Sequence, residues 1–148
     1  MISSIFILVF SGILFVYWFR YTCLLMLRSK TPEDYAARVV EANQLSYPSV
    51  ELRLGEDGWD QELGQLLYSL KRDYRVLSYL LKHAASVEVG GSTLEQRMLM
   101  IDFKIMQWWC KLSQYFSPSL SRAAVQEMAQ VLHNLANAMG ERVASTAE

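Results

Sequence analysis

Residues 1–27 read MISSIFILVFSGILFVYWFRYTCLLML, and no charged side chain occurs between Ile2 and Phe19. An α-helix rises about 1.5 Å per residue, so this uncharged run spans roughly 27 Å, close to the hydrocarbon thickness of a bilayer. The length and the absence of charge predict a single transmembrane helix at the N-terminus.

Two other interpretations of the N-terminus fit less well. A cleaved signal peptide has basic residues before its apolar run and a small-residue cleavage site after it. Here no Lys or Arg precedes the run, and the bulky residues Tyr17–Phe19 end it. A helix in a soluble core usually has a polar stripe. This segment offers only Ser3, Ser4, Ser11 and Gly12.

The orientation of the predicted helix follows from its flanking charges. All nearby basic residues lie on its C-terminal side, so the positive-inside rule predicts an external N-terminus and a cytoplasmic C-terminal domain. Aromatic rings and basic side chains favour the headgroup level. The residues expected at this membrane interface are Tyr17, Trp18, Arg20, Tyr21, Arg28 and Lys30.

The apolar residues 23–27 lie beyond Arg20, which leaves two arrangements open. The helix could tilt while Arg20 extends to the interface, or residues 23–27 could lie on the membrane surface. Arg20 could also pair with an acidic group of another membrane subunit. Extension to the interface is the simpler interpretation.

Composition restricts the function of the remaining chain. Among 148 residues, 14 are Lys or Arg and 15 are Asp or Glu; beyond residue 30, 11 basic residues face 15 acidic ones, a net charge of −4. A nucleic-acid-binding domain needs a basic face, so no nucleic-acid partner is expected. The only cysteines, Cys23 and Cys110, are far apart, and no Cys/His cluster has zinc-ligand spacing. We therefore expect no disulfide, metal or cofactor.

The predicted fold is all-α, with three segments. Residues 1–30 form the anchor and juxtamembrane segment, residues 31–57 a connecting helix and linker, and residues 58–148 a three-helix up-down-up bundle. Thr31-Pro32-Glu33-Asp34 has the pattern of a helix start, and this helix should extend to about Gln44. Pro48, Gly55 and Gly58 indicate an irregular linker after it.

Apolar residues in the bundle recur at alternating steps of four and three, as in a helical seam. The first bundle helix should begin near Asp60 and end near Ser86. The third should run from about Ser119 to Val143 and has alanines beside its seam. The first helix's seam comprises Leu63, Leu67, Leu70, Tyr74, Leu77, Leu81 and Ala84.

The middle bundle helix, capped by Ser92 or Thr93, has two apolar stripes. The first stripe comprises Leu94, Met98, Ile101, Ile105, Trp108, Leu112 and Tyr115. The second stripe comprises Leu99, Phe103, Met106 and Cys110. A helix with two apolar faces should pack against more than one neighbour, so this helix is predicted to be central, with Trp108 in the core.

Asp102 lies between the two stripes, and it should be at least half buried if both are covered. A buried carboxylate needs a partner or becomes protonated. Candidate partners are Arg72, Arg75, His83, Arg122 and His133. A structural ion pair is a simpler role than catalysis, because no second catalytic group is identified.

The two histidines, His83 and His133, fall on different predicted helices. Together with Asp102 they could form a cofactor-binding or enzymatic bundle, but no Glu-x-x-His or His-x-x-x-His spacing supports this alternative. Cys110 should be an inert buried thiol, because little positive charge surrounds it.

Several aromatic and basic residues are candidates for contact with a partner protein, and those on the first bundle helix could instead meet anionic lipid. Exposed Trp, Tyr and Arg side chains are enriched where proteins meet. The candidates are Trp109, Tyr68, Arg72, Arg75 and Tyr79. A solvated helix face is the alternative for the last four.

The sequence thus predicts a single-pass membrane-anchored interaction protein, not an enzyme. One version is an accessory or scaffold subunit of a membrane complex. The other is a homodimer that associates through the alanine-lined face of the last helix or through the second stripe. The expected partners are the lipid bilayer and a protein.

Overall fold

The computed structural model describes residues 2–28, 34–87 and 93–146, and all regular structure in these ranges is helical. The helices there are α1 (Ile2–Arg28), α2 (Ala36–Asn43), α3 (Tyr47–Leu54), α4 (Leu63–Val87), α5 (Leu94–Ser113) and α6 (Pro118–Thr146). The chain divides into two compact units, Met1–Lys30 and Thr31–Glu148. The all-α class and the long apolar helix followed by a bundle are confirmed.

The first unit is built on α1, which is long and apolar enough to cross a membrane. Residues 23–27 continue this helix without a break. The hydroxyl of Thr22 donates to the carbonyl oxygen of Trp18 at 2.9 Å, which satisfies a polar side chain within the helix. Lys30 and residues 31–33 of the predicted helix start lie outside the described ranges. Asp34 and Tyr35 are described and are not helical, so the predicted start was wrong and α2 begins at Ala36.

The second unit is organised around α6, which packs against α2, α3, α4 and α5. The prediction that the middle bundle helix is central was therefore wrong. The alanine-lined face of α6 is used inside this unit, where small side chains let the neighbouring helices approach closely. The buried residues of α6 include Ala124, Val125, Met128, Ala129, Val131, Leu132, Leu135 and Ala136.

Helices α5 and α6 form an antiparallel pair, as their short connection predicts. At one end, the thiol of Cys110 donates to the carbonyl oxygen of Ser121 at 3.7 Å. At the other end, Arg142 Nη2 donates to Gln96 Oε1 at 2.9 Å. Thr93 caps α5 through a hydrogen bond from the Gln96 amide, one of the two caps predicted.

Residues 47–54 form α3, so the prediction of an irregular linker was wrong there. Pro48 is compatible with a helix because it lies in the first turn, where its missing N–H has no helical partner. The backbone N–H groups of Ser46 and Tyr47 both donate to Asp73 Oδ2, on α4. A side chain distant in sequence thus supplies the N-terminal cap.

We expect Asp73→Ala to lower the free energy of unfolding by about 1–3 kcal/mol, because it removes the acceptor of two amides at the start of α3. Asp73→Asn keeps one oxygen acceptor and should lose less. Urea unfolding of the full chain in mild detergent, followed by circular dichroism, measures both. Equal stability of Asp73→Ala and the parent would contradict this account of the cap.

Close approach of α2 to α6 explains Gly140. A Cβ at this position would overlap the Cβ of Tyr35 and come within 3.1 Å of its carbonyl oxygen. Because Tyr35 directly precedes α2, any larger residue at position 140 would push this end of α2 away from α6.

Gly140→Ala should therefore be less stable than Gly64→Ala by about 1–3 kcal/mol, the usual cost of overpacking. Gly64 is the matched control: it also lies in a helix, but a Cβ there would meet nothing within 4 Å. Each substitution gains helix propensity, so the difference isolates the contact with Tyr35. Thermal unfolding of both variants tests this, and equal melting temperatures would contradict it.

Candidate functional site

The two apolar stripes of α5 have different environments. All four residues of the second stripe are buried, and Phe103 is completely covered. Its ring stacks on that of Tyr74 from α4, with ring centroids 4.3 Å apart. The Tyr74 hydroxyl also donates to the carbonyl oxygen of Met100 at 3.3 Å. The second stripe is therefore the core face of α5.

The first stripe is not covered within the described residues. Trp108, predicted in the core, is 65% exposed, and Ile101 is 51% exposed. The prediction that Trp108 is a core residue was wrong, because α6 covers only one side of α5. The exposed residues of the first stripe are Leu94, Ile101, Ile105, Trp108, Leu112 and Tyr115. Met98 is half-buried.

Further exposed apolar side chains adjoin the first stripe. Trp109, predicted as a contact residue, is partly exposed beside Trp108. Phe116 and Leu120 are exposed where α5 connects to α6. Large continuous apolar surfaces on folded domains mark interaction sites more often than isolated apolar residues do. This face of α5 is therefore the candidate functional site.

Asp102 is completely buried even though the first stripe is exposed. It lies on the side of α5 where Gln96 and Ser113 are also buried. Two of its candidate partners make their contacts with other groups: Arg72 with Asp73, and His133 with Asp34. Burial on a packed helix face suits a structural role.

The predicted contact face of α4 is only partly available. Tyr68, Arg75 and Tyr79 are exposed. Arg72 instead holds the turn between α2 and α3, where its Nη2 donates to the Gln44 carbonyl oxygen at 3.0 Å and to the Ser46 hydroxyl at 2.8 Å. Contact of the other three with a partner stays a prediction.

The two histidines have different surroundings. His83 Nδ1 lies 3.1 Å from the carbonyl oxygen of Tyr79, and the two rings are 4.0 Å apart. His133 Nδ1 lies 3.4 Å from the hydroxyl of Tyr47, and its Nε2 lies 4.0 Å from Asp34 Oδ1. In the ranges 2–28, 34–87 and 93–146, no three His, Cys, Asp or Glu side chains group as a metal site requires.

The Tyr47 hydroxyl lies close to the His133 ring, as a nucleophile lies close to its base, but the pKa of the phenol does not suit that role. Burial and the nearby carboxylates of Asp34, Glu51 and Asp73 raise the pKa of Tyr47 above its ordinary value. The phenol is therefore neutral near pH 7 and is not a ready nucleophile. The contact joins α3 to α6, which is a structural role.

A cavity of about 410 Å³ lies between α2, α4 and α6. Arg38, Tyr35 and Asn43 contribute its polar groups, and the rest of its lining is mainly apolar. No residue predicted as part of a site lines it. It has no arrangement of groups that indicates a reaction.

The chain matches no protein-family model, and it has no significant match among curated proteins or solved structures. The candidate site therefore depends on the chain's own residues, above all on the exposed first stripe of α5.

The two faces of α5 should respond differently to truncation. Phe103→Ala should lower the free energy of unfolding by about 3–5 kcal/mol, whereas Ile101→Ala, at an exposed position, should cost less than about 1 kcal/mol. Urea unfolding of the full chain in mild detergent compares them. A large loss in Ile101→Ala, similar to that in Phe103→Ala, would show that the first stripe is covered within the chain.

Proposed function

We propose that this chain is a single-pass membrane-anchored interaction protein, an accessory or scaffold subunit of a membrane complex. In this proposal α1 holds the chain in the bilayer, and the first stripe of α5 contacts a protein partner. The observation that carries the proposal is the exposure of six of the seven residues of this stripe.

The size of the first stripe supports a protein contact. Its residues within α5, from Leu94 to Leu112, extend over about 27 Å of helix at 1.5 Å per residue, and Tyr115 lies in the turn that follows. Trp108 and Tyr115 belong to residue types that contribute strongly to binding energy at interfaces. A patch of this length, left in water, favours association.

Self-association is the alternative, but its two predicted faces are both occupied. The alanine-lined face of α6 and the second stripe of α5 are buried within the second unit. Neither predicted face is open to a second copy, so a homodimer through the first stripe becomes one outcome of the same experiment.

Site-specific photo-crosslinking in intact membranes tests the proposal. A benzophenone amino acid replaces Trp108 in the full chain, and the matched control replaces Leu52, which is 76% exposed on α3. We expect a discrete adduct with another protein from position 108 and none from position 52. Ile105→Asp should remove the adduct while leaving the helical content unchanged.

Two outcomes contradict the proposal of a partner protein. Absence of any adduct at position 108 would show that the first stripe contacts no protein. An adduct only with a second copy of the chain would establish the homodimer instead.

The proposed topology makes a separate prediction. With the N-terminus outside, Ser3→Cys should react with a membrane-impermeant maleimide in intact cells, and Ser145→Cys only after permeabilisation. Both positions are exposed, and the native Cys23 and Cys110 are buried. Labelling of Ser145→Cys in intact cells would show that the orientation is the opposite of the one proposed.

A further inference from the structure

Basic side chains follow one edge of the first stripe. Arg97, Lys104 and Lys111 occur every seven residues on α5, and all three are exposed. In heptad terms, Met98, Ile105 and Leu112 occupy position a of the seam. Each basic residue directly precedes one of them, which is position g. We call these three residues the basic row.

The opposite edge of the first stripe has no row of basic residues. Within α5, the positions that follow each d residue are Glu95, Asp102 and Trp109. Asp102 is completely buried, and Trp109 is apolar. The first stripe therefore has a positively charged edge on one side only.

We infer that the first stripe binds an amphipathic helix of a partner protein that carries acidic side chains opposite the basic row. This inference deepens the proposed function and rests on it. Residues at g positions set the choice of partner in helical pairs by meeting opposite charges on the facing helix. Three basic side chains at successive g positions therefore favour a facing helix with acidic side chains along its edge.

A second copy of this chain fits the same seam poorly. In an antiparallel pair of α5 helices, g positions face g positions, so Lys104 would meet Lys104 and Arg97 would meet Lys111. In a parallel pair, g positions face e positions, and the only acidic residue met would be the buried Asp102. Like charges at an interface oppose association.

The spacing of the stripe also favours a helix over a membrane surface. Apolar residues repeat at steps of four and three from Leu94 to Tyr115, and this 3.5-residue period keeps a seam facing a neighbouring helix. An interfacial helix that binds anionic lipid is rich in basic residues across its polar face. Here one edge is basic and the other begins with Glu95, within a unit of net charge −4.

Two synthetic helical peptides of 22 residues test the inference. Both carry Leu and Ile at positions a and d; one has Glu and the other Lys at positions e and g. Binding to the full chain in phosphatidylcholine nanodiscs is measured by fluorescence anisotropy. We expect the Glu peptide to bind roughly tenfold tighter or better, because three ion pairs replace three repulsions. The difference should shrink in high salt.

Variants of the basic row provide the decisive comparison. Arg97→Glu/Lys104→Glu/Lys111→Glu should reverse the preference, and Lys104→Glu alone should reduce it. Ile105→Asp should abolish the binding of both peptides. Circular dichroism checks that each variant remains folded, which is expected because all three basic residues lie on the surface.

Several results would overturn the inference. Equal binding of the two peptides would show that charge does not select the partner, and failure of both to bind would show that the stripe does not accept a helix. Dimerisation of the chain in nanodiscs that Ile105→Asp abolishes would assign the stripe to a second copy. A spin label on Trp108→Cys that becomes lipid-exposed in phosphatidylserine nanodiscs would assign it to the membrane.

The crosslinking experiment separates failure of this inference from failure of the proposed function. A protein captured at Trp108 whose crosslinked segment lacks acidic residues would overturn the inference and leave the interaction protein intact. Absence of any captured protein would overturn the proposed function itself.

Discussion

Packing of α5 against α6 through one face only is the constraint on which the rest of the second unit depends. Phe103, Met106 and Cys110 are buried, and Phe103 is also stacked on Tyr74 of α4. Successive residues on a helix are rotated by about 100°, so the two stripes lie on different sides of α5 and cannot both face α6. Burying the second stripe therefore turns the first stripe outward, toward solvent or a partner.

The central position of α6 follows from the same packing. Its alanines allow close approach, its larger residues fill the core, and Gly140 leaves room for Tyr35, the residue before α2. Polar contacts fix the ends of the arrangement: Arg142 reaches Gln96 at one end of the α5–α6 pair, and Cys110 reaches Ser121 at the other. The buried core of the second unit is thus formed without the exposed residues of the first stripe.

The sequence predicts those features that depend on local pattern. The uncharged run of α1, the Thr93 cap of α5 and the period of each long helix can all be recognised from neighbouring residues. It does not predict α3, because the cap comes from Asp73, more than twenty residues away. It also fails to tell which stripe of α5 is the core face, since both have helical periodicity. Polar residues usually indicate an exposed face, but Gln96, Asp102 and Ser113 are buried on the core face of α5. The core face therefore cannot be identified from the sequence pattern.

In the proposed function, the first stripe is open in the isolated chain and covered by a partner in the native membrane. The most direct test is the rate at which a maleimide labels Ile101→Cys, compared with Leu52→Cys on α3. Labelling at position 101 should be fast in purified nanodiscs and much slower in native membranes, while labelling at position 52 should be fast in both. Slow labelling at position 101 in the purified, monomeric chain would contradict the account.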